Sequence, residues 1–418
     1  MPFYGRTRHS VFVMDNPHMR ILIINTLYHP YKVGGAEVSV QLMAEALVRR
    51  HHQVQVLCLT PERERSEKVI NGVAVCYVPL ANCYWPFDGE KKSFYQKLRW
   101  HLKDYYNTDM RNTVMAVIRD FAPDVVHTNN IAGFSVSVWS AAKACGVKIL
   151  HTSRDYYLFH PNTTLFRRGR NQDPDATDVH LQSWLKKRYS RLVDGYVGIS
   201  QFILERHHKA GFFPGVHQSF IYDIVLPAAQ WPDSDNAGGV TRRQWRIGFI
   251  GKLSEDKGFD EFCLLARHYR RHPDYVFCAA GRIAPGNPLV EEARRSGVKL
   301  LGFINMEAFM QQVDIVVLPV KWHEPFGRVV VESVFYGKIV LTNRMGAVSE
   351  LSTLLPNIYF MEECAFEEVI NKKVEPLSPE IVNAFTPDAI VGEFEKVYMD
   401  ISMSECCRKN LSPATGKE

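Results

Sequence analysis

The sequence predicts an α/β protein made of two parallel-sheet domains, and three observations carry that expectation. Short β-branched runs alternate with amphipathic stretches from Ile21 to Ile199, the signature of a parallel sheet covered by helices. The run Pro227 to Gly239, P-A-A-Q-W-P-D-S-D-N-A-G-G, breaks that rhythm with turn formers. The rhythm then restarts at Arg246, and 418 residues are too many for one ordinary core.

In the first half the expected strands are Ile21–Asn25, Val54–Leu59, Val73–Val78, Val125–His127, Lys148–Thr152 and Gly195–Ile199. Helical patterns at Glu37–Arg50, Thr113–Phe121 and Ser135–Cys145 lie between them. The second half offers strands at Arg246–Ile250, Val276–Ala280, Val298–Leu301, Ile315–Pro319 and Ile339–Thr342, with a helix at Phe259–Arg271. Near the end, Ile390, Phe394, Val397 and Tyr398 recur at helical spacing. The expected organisation is therefore a flexible extension at 1–18, a domain at 19–226, a linker at 227–243 and a second domain at 244–386. A C-terminal helix at 387–403, packed back on the first domain, and a polar, disordered tail at 404–418 complete it. Residues 1–18 could equally be the product of an upstream start codon.

Composition bounds the function. Hydrophobic residues make up 46% and charged residues 23%, ordinary values for a globular protein. No apolar run approaches the ~20 residues that span a bilayer, and Met1 to His18 has no apolar core like that of a secretory signal. The nine cysteines show no C-x-x-C spacing, which reads as reduced cytosolic thiols, not a disulfide frame or zinc site. The pairs His51-His52 and His207-His208 are expected at the surface. A net charge of +5 suits anionic ligands such as nucleotide phosphates or a phospholipid surface, and is too small to indicate nucleic acid.

Three segments have a chemical reason to sit at a ligand site. Gly34-Gly35-Ala36-Glu37 opens a helix after the first strand. There glycines let backbone approach a ligand and free N–H groups favour an anion, although a plain tight turn fits equally. Gly251 to Gly258 places Lys252 and Lys257 around a second strand–helix junction, where they could neutralise a diphosphate or simply form a solvated loop. In Glu324-Pro325-Phe326-Gly327-Arg328-Val329-Val330-Val331-Glu332, Pro325 and Gly327 form a turn and Arg328 starts a helix. Glu324 projects from the loop, and Glu332 falls in the apolar stretch Val329–Val334, where an unpaired carboxylate is costly and a partner is required. Two carboxylates so placed can address two sets of hydroxyls, while the Phe326 and Gly327 amides can meet phosphate.

These motifs, in this order, make the chain resemble the retaining GT-B glycosyltransferases of family four, which include sucrose synthases, mannosyltransferases and many bacterial polysaccharide enzymes. The resemblance spans Met19 to about Met403. Gly34 to Glu37 matches the family's Gly-Gly-x-Glu, and Gly251 to Gly258 its Gly-Arg-Leu-x-x-x-Lys-Gly, with Lys252 for Arg. Glu324 to Glu332 matches E-x7-E, and Gly346 to Leu351 matches Gly-x-x-x-Glu-Leu.

The resemblance implies two Rossmann-like domains facing each other across a deep cleft that closes on binding. It implies Glu332 on the donor ribose and Glu324 on the donor sugar. Lys252, Lys257 and the Phe326 and Gly327 amides would hold the diphosphate, with Gly34 and Gly35 closing over it. It further implies retention of configuration, no enzyme nucleophile, no cofactor and no required metal, with electrostatic preorganisation supplying most of the catalysis. One departure stands out: many relatives carry His-Asp where this chain has Arg154-Asp155. A guanidinium can bind a hydroxyl or phosphate but cannot act as a base. Arg154 is nevertheless expected to form a variant acceptor-side site, with Asp155 and His151 as secondary candidates for it or as simply structural residues.

The expected partners are a nucleotide sugar and a glycan or lipid-linked acceptor of surface-polysaccharide or glycoconjugate synthesis, with base recognition near Gly302–Ile304. Lys91 to Lys103 mixes lysines and Arg99 with Phe94, Tyr95 and Trp100, a composition that suits either an interfacial helix on an anionic membrane or a helix packing its aromatics inward. With the basic loop Phe166 to Arg170, it suggests a cytoplasmic protein held peripherally on the inner face of a membrane. The alternatives are a sugar-nucleotide-binding pseudoenzyme, suggested by Arg154 and Lys252, and a GT-B epimerase, which E-x7-E argues against. A pyridoxal-type phosphorylase would need a lysine signature that the sequence lacks.

Overall fold

The computed structural model describes residues 18–31, 34–226, 244–283 and 286–409, with side chains to Met403. The 227–243 linker and the N-terminal extension up to residue 17 lie outside the described residues.

The chain opens with β1 (Arg20–Ile24), α1 (Gly35–Arg49), β2 (Gln53–Thr60), β3 (Ser66–Ile70) and β4 (Val73–Pro79). After these come α2 (Phe94–Tyr105), α3 (Thr108–Phe121), β5 (Val125–Thr128), α4 (Ser137–Ala144) and β6 (Lys148–Ser153). A small hairpin, β7 (Phe166–Arg167) and β8 (Arg170–Asn171), leads into α5 (Thr177–Ser190), β9 (Gly195–Gly198), α6 (Gln201–Lys209) and β10 (His217–Phe220). The first sheet runs β10-β9-β6-β5-β1-β2-β4-β3, parallel throughout except for the edge strand β3. Its inner strands are near-continuous apolar runs such as R-I-L-I-I in β1, because helices cover both faces.

The second half repeats the scheme with β11 (Trp245–Ile250), α7 (Phe259–His268), β12 (Tyr275–Ala280), α8 (Leu289–Ser296), β13 (Lys299–Gly302) and α9 (Met306–Met310). It continues with β14 (Ile315–Leu318), α10 (Arg328–Phe335), β15 (Ile339–Thr342), α11 (Val348–Leu351), β16 (Ile358–Phe360), α12 (Phe366–Val369), α13 (Pro379–Ala384) and α14 (Pro387–Lys409). Its sheet order is β13-β12-β11-β14-β15-β16, all parallel. Both domains are thus Rossmann-like, and their strand order reverses between β1 and β5 and between β11 and β14. Doubly wound sheets bind ligands outside the carboxyl ends of the strands at such reversals.

The strands missing from the sequence reading are polar or very short. β3 (S-E-K-V-I) is an exposed antiparallel edge, β10 (H-Q-S-F) a polar edge, and β16 has three residues. None carries the apolar run by which a buried strand is recognised. The helix expected from Thr113 begins at Thr108, capped by the Asn107 side chain, which accepts the Met110 N–H at 3.2 Å.

The last helix decides how the halves are held. α14 buries Ile390, Val391, Phe394, Val397, Tyr398 and Ile401 with Val40, Met43 and Leu47 of α1. Glu395 accepts two hydrogen bonds from Arg50, at 2.7 and 2.8 Å, and lies 2.9 Å from His52. Two expectations are corrected. The backbone stays helical past Met403 to Lys409, so the tail expected to be disordered at 404–418 starts as helix, and 410–418 lie outside the described residues. His52 and His207 are buried, not at the surface as expected. His52 serves Glu395, and His207 packs edge-on to Phe159 at 4.7 Å.

Glu395 is buried and Arg50 about one-third exposed. Glu395→Ala should therefore destabilise by about 2–3 kcal/mol, less than the ~3–5 kcal/mol of a fully buried pair. Burial pushes this carboxyl up, but the hydrogen bonds and charges of Arg50 and His52 together outweigh it and hold the group below its usual range. That stabilisation is present above the unfolded-state value and lost as pH falls through the folded one. Urea titrations at pH 7 and pH 4 check both statements, since the wild-type advantage over Glu395→Ala should shrink at pH 4.

Candidate active site

All three motif loops leave the carboxyl ends of strands that flank a reversal. The Gly34-Gly35 turn follows β1, the Lys252–Lys257 loop follows β11, and the Glu324 loop follows β14. Tertiary packing fixes the last two against each other. Gly258 has φ +76°, and a Cβ there would lie 1.6 Å from the Pro319 carbonyl oxygen. Gly346 has φ +65°, and its Cβ would fall 2.5 Å from the Glu324 nitrogen and 2.3 Å from its carbonyl oxygen. Only glycine tolerates either approach. The Ala347 N–H then donates to the Glu324 carbonyl at 2.8 Å, which sets the position of the loop.

Glu324 is held on one side only. Its Oε2 accepts from Lys257 Nζ at 2.7 Å and from Trp322 Nε1 at 2.8 Å, and Lys257 also lies 4.5 Å from the Trp322 ring centroid. Among the described residues Oε1 has no partner, so it remains able to accept from a ligand hydroxyl. Lys252 is exposed and forms no ion pair among the described residues. Gly327, at φ +90°, starts α10, and the Phe326 and Gly327 N–H groups donate to no acceptor among the described residues. Two free donors at a helix start, with Lys252 and Lys257 on a neighbouring loop, form a place for an anion.

Glu332 has the partner that its apolar setting demanded, and that partner is a neighbour on its own helix: Arg328 Nε at 2.7 Å. Burial still pushes this carboxyl up, against the pull of Arg328. Arg328 also crosses to the first domain, donating from Nη1 to Ser39 Oγ at 3.0 Å and to the Ile224 carbonyl at 2.9 Å. Ser39 donates to Asp223 Oδ2 at 2.9 Å, and Asp223 Oδ1 accepts from Arg154. Arg154 Nε in turn donates to Asn129 Oδ1 at 2.8 Å.

This chain of contacts changes the meaning of two expected residues. Arg154 is buried and committed to Asp223 and Asn129, so it acts as a clamp between β6 and the segment after β10. Gly35 serves the crossing, because a Cβ there would come 3.1 Å from Arg328 Cδ. A Cβ on Gly34 would meet nothing closer than 3.9 Å, and the Gly34 N–H is taken by Glu37 Oε2 at 2.8 Å.

Asp155 lies at the end of β6 in a cavity of about 10 Å³ shared with Asn129, Ser153, Arg154 and Tyr157. One carboxylate oxygen accepts the Tyr157 N–H at 2.8 Å. Burial pushes its pKa up to about 6, against the Lys186 ammonium. Tyr157 is gripped twice more: its carbonyl accepts from Lys186 Nζ at 2.5 Å, and its hydroxyl donates to Asp104 at 2.9 Å. His151 is buried, 2.9 Å from Thr128 Oγ1 and stacked near Phe213, which makes it part of the core. A wide depression of about 550 Å³, lined by His18, Asp124 and Lys148 among others, lies at the amino ends of β1, β5 and β6, the wrong end of the sheet for this chemistry.

The sequence reading missed Trp322, Ser39, Asn129, Asp223 and the contact role of Glu350. Trp322 stands two residues before Glu324 and was within reach of the motif. Glu350 accepts the Gln201 and Phe202 N–H groups at 2.9 and 2.8 Å, capping α6 of the other domain. Ser200 Oγ donates to the Pro325 carbonyl at 2.6 Å and Tyr156 Oη to the His323 carbonyl at 2.7 Å. The halves therefore touch directly beside the site, where the sequence reading allowed for an open cleft.

Comparison with known proteins bears on this geometry. Residues 34–221 match the family described as "Glycosyl transferase 4-like domain", and residues 233–375 match "Glycosyl transferases group 1". The chain is 42% identical over 386 residues to an uncharacterized 42.6 kDa protein in the cps region of Klebsiella pneumoniae, a match covering 91% of this chain and all of that one. Its fold is similar to that of sucrose-phosphate synthase from Thermosynechococcus elongatus, with a TM-score of 0.67 at 14% identity over 93% and 100% of the two chains. It is also similar to Anabaena HepE in complex with UDP-glucose, with a TM-score of 0.56 at 16% identity over 94% and 100%.

Gly346→Ala should displace the Glu324 backbone and lower turnover at least ~100-fold, the scale of a 1 Å misplacement at a reacting centre. Gly392→Ala, with open space around its Cβ in α14, should leave turnover unchanged. Steady-state kinetics of the two variants, with circular dichroism to confirm folding, checks this.

Proposed function

The chain belongs to the GT-B glycosyltransferases, and from that premise we propose that it moves a hexose-type sugar, with retention, from a nucleoside diphosphate donor to a glycan or lipid-linked acceptor. The observation that carries the donor half is the half-satisfied Glu324, held by Lys257 and Trp322 through one oxygen beside the two free amides of Phe326 and Gly327. In this reading the free Glu324 oxygen takes a sugar hydroxyl and Glu332 takes the ribose. Lys252, Lys257 and the amides receive the diphosphate. Its negative charge grows as the glycosidic bond breaks, and donors fixed in advance stabilise it without reorganising. The acceptor hydroxyl attacks on the face the diphosphate leaves, passing its proton toward the leaving phosphate, so no enzyme nucleophile and no metal are needed. HepE was solved with UDP-glucose, which makes UDP-glucose the first donor to try. The relative in a cps region supports a polysaccharide product.

Arg154 is no base, and its pairing with Asp223 makes it a positioning residue. Asp155 is the carboxylate we place on the acceptor side. Burial raises it, so in the free enzyme it is protonated below about pH 6 and ionised above.

Two measurements test the reading. In a thermal-shift panel of UDP-, GDP-, ADP- and TDP-sugars, one nucleotide class should stabilise the wild type. Glu332→Ala should weaken that ligand about 10–100-fold, the worth of hydrogen bonds to a charged group. No shift with any nucleotide sugar would overturn the donor assignment. For the acceptor, kcat/KM should fall tenfold per pH unit below about pH 6, and Asp155→Asn should be slow and lack that acid limb.

A further inference from the structure

The helix that the sequence left between two readings, α2, turns its apolar stripe outward. Phe94, Tyr95, Leu98 and Leu102 are 73%, 81%, 45% and 61% exposed. At 100° per residue they share one face, opposite the buried Trp100 and Asp104. Trp100 alone of the three aromatics packs inward. α5 repeats the arrangement: Leu181 and Trp184, 78% and 62% exposed, lie opposite the buried Val179, Ser183 and Lys186. The inner faces converge on one residue, since Asp104 and Lys186 both hold Tyr157. Tyr106, just after α2, meets Tyr189 of α5 at 5.0 Å between ring centroids. Each helix therefore presents apolar side chains to solvent while its inner face holds Tyr157.

Exposed cations accompany these apolar side chains. Lys97 and Arg99 on α2, Arg188 on α5, and Arg167, Arg168 and Arg170 on the β7–β8 hairpin are exposed, and none forms an ion pair among the described residues. Carboxylates stand here too: Asp173, Asp175 and Asp178 at the amino end of α5, and Asp88, Glu90 and Asp109 at the ends of α2, where Lys92 and Lys103 neutralise them. The hairpin joins the surface to the site: Asn171 donates to the Lys321 carbonyl at 2.7 Å and accepts the His323 N–H at 3.0 Å, one residue from Glu324.

We propose that the outer faces of α2 and α5 together form a docking surface for an anionic bilayer, their aromatic and leucine side chains entering the headgroup region and the unpaired arginines and lysines meeting lipid phosphates. Exposed apolar side chains accompanied by unpaired cations are what an interfacial surface needs, and a purely apolar protein contact would not call for the cations. No helix among the described residues is long and apolar enough to cross a membrane, so the contact is peripheral. It places the end of β6, where Asp155 lies, next to the lipid surface. The inference rests on the lipid-linked form of the proposed acceptor, but vesicle binding needs neither donor nor turnover, so the two fail separately.

The test is flotation of the full chain with vesicles of phosphatidylcholine alone or with phosphatidylglycerol, at low and high salt. The wild type should float with the anionic vesicles at low salt and lose binding as salt rises. The variant Tyr95→Ser/Leu98→Ser/Trp184→Ser should bind about tenfold or more weakly, and Lys97→Glu/Arg99→Glu should lose the preference for anionic lipid. Leu264→Ser, an exposed leucine on α7 of the other domain, should bind as the wild type does. Equal binding to both vesicle types, or unchanged binding by the triple variant, overturns the proposal. So does a wild-type dimer in sedimentation that the triple variant dissolves, which would make the face a contact between two copies.

Discussion

The structure depends on one line of polar contacts running from Asn129 through Arg154, Asp223, Ser39 and Arg328 to Glu332. It begins at the end of β5, passes the end of β6 and the segment after β10, touches α1 and ends inside α10 of the other domain. Buried charges are tolerated only when paired and hydrogen-bonded, and here each charge is satisfied by the next. Arg154 neutralises Asp223, and Arg328 neutralises Glu332 while its guanidinium reaches Ser39 and the Ile224 carbonyl. The two sheets could be built without this line; at its last link, Arg328 to Ser39 and the Ile224 carbonyl, it joins the contacts of Glu350, Ser200 and Tyr156 that hold the halves together beside the site.

The same contacts explain how the site is organised without a ligand. Glu324 and Glu332 are each paired with a cation, Lys257 and Arg328, so neither carboxylate sits uncompensated at the junction. Lys257 and Trp322 hold Glu324 through one oxygen, and among the described residues its other oxygen has no partner. On the proposed function, a donor adds partners to residues already fixed in place. The anion position is less satisfied: among the described residues Lys252 has no ion-pair partner and the Phe326 and Gly327 amides have no acceptor, which leaves positive potential there. α2 and α5 add a second tier, gripping Tyr157 from inside while presenting apolar side chains outside. The exposed apolar side chains and the end of β6, where Asp155 lies, are thereby tied through Tyr157.

Much of this was legible in the residues. Buried parallel strands announce themselves as apolar runs, and eleven of them stand within a residue or so of where the sequence put them. Edge strands such as β3 and β10 did not, because a strand that faces water carries no apolar signal. Glycines at 258 and 346 could be read as family positions, but not that each yields to a specific backbone oxygen. For Glu332 the requirement of a partner followed from its apolar neighbours. That the partner is Arg328, one turn earlier, was equally available at i,i+4 spacing.

By itself, then, the sequence determined the two-domain α/β plan, the motif loops at the ends of β1, β11 and β14, and the glycines, lysines and carboxylates gathered on them. These follow from periodicity and short-range spacing, which a linear chain records directly. Tertiary structure alone decided that Arg154 is a clamp, that Gly35 makes room for Arg328, and that α2 turns its aromatic stripe outward. Each of those depends on residues far apart in the chain, Arg154 with Asp223, Gly35 with Arg328, Asp104 with Tyr157. An amphipathic pattern fixes which residues share a face, but only the packing of the remaining chain decides which face is covered.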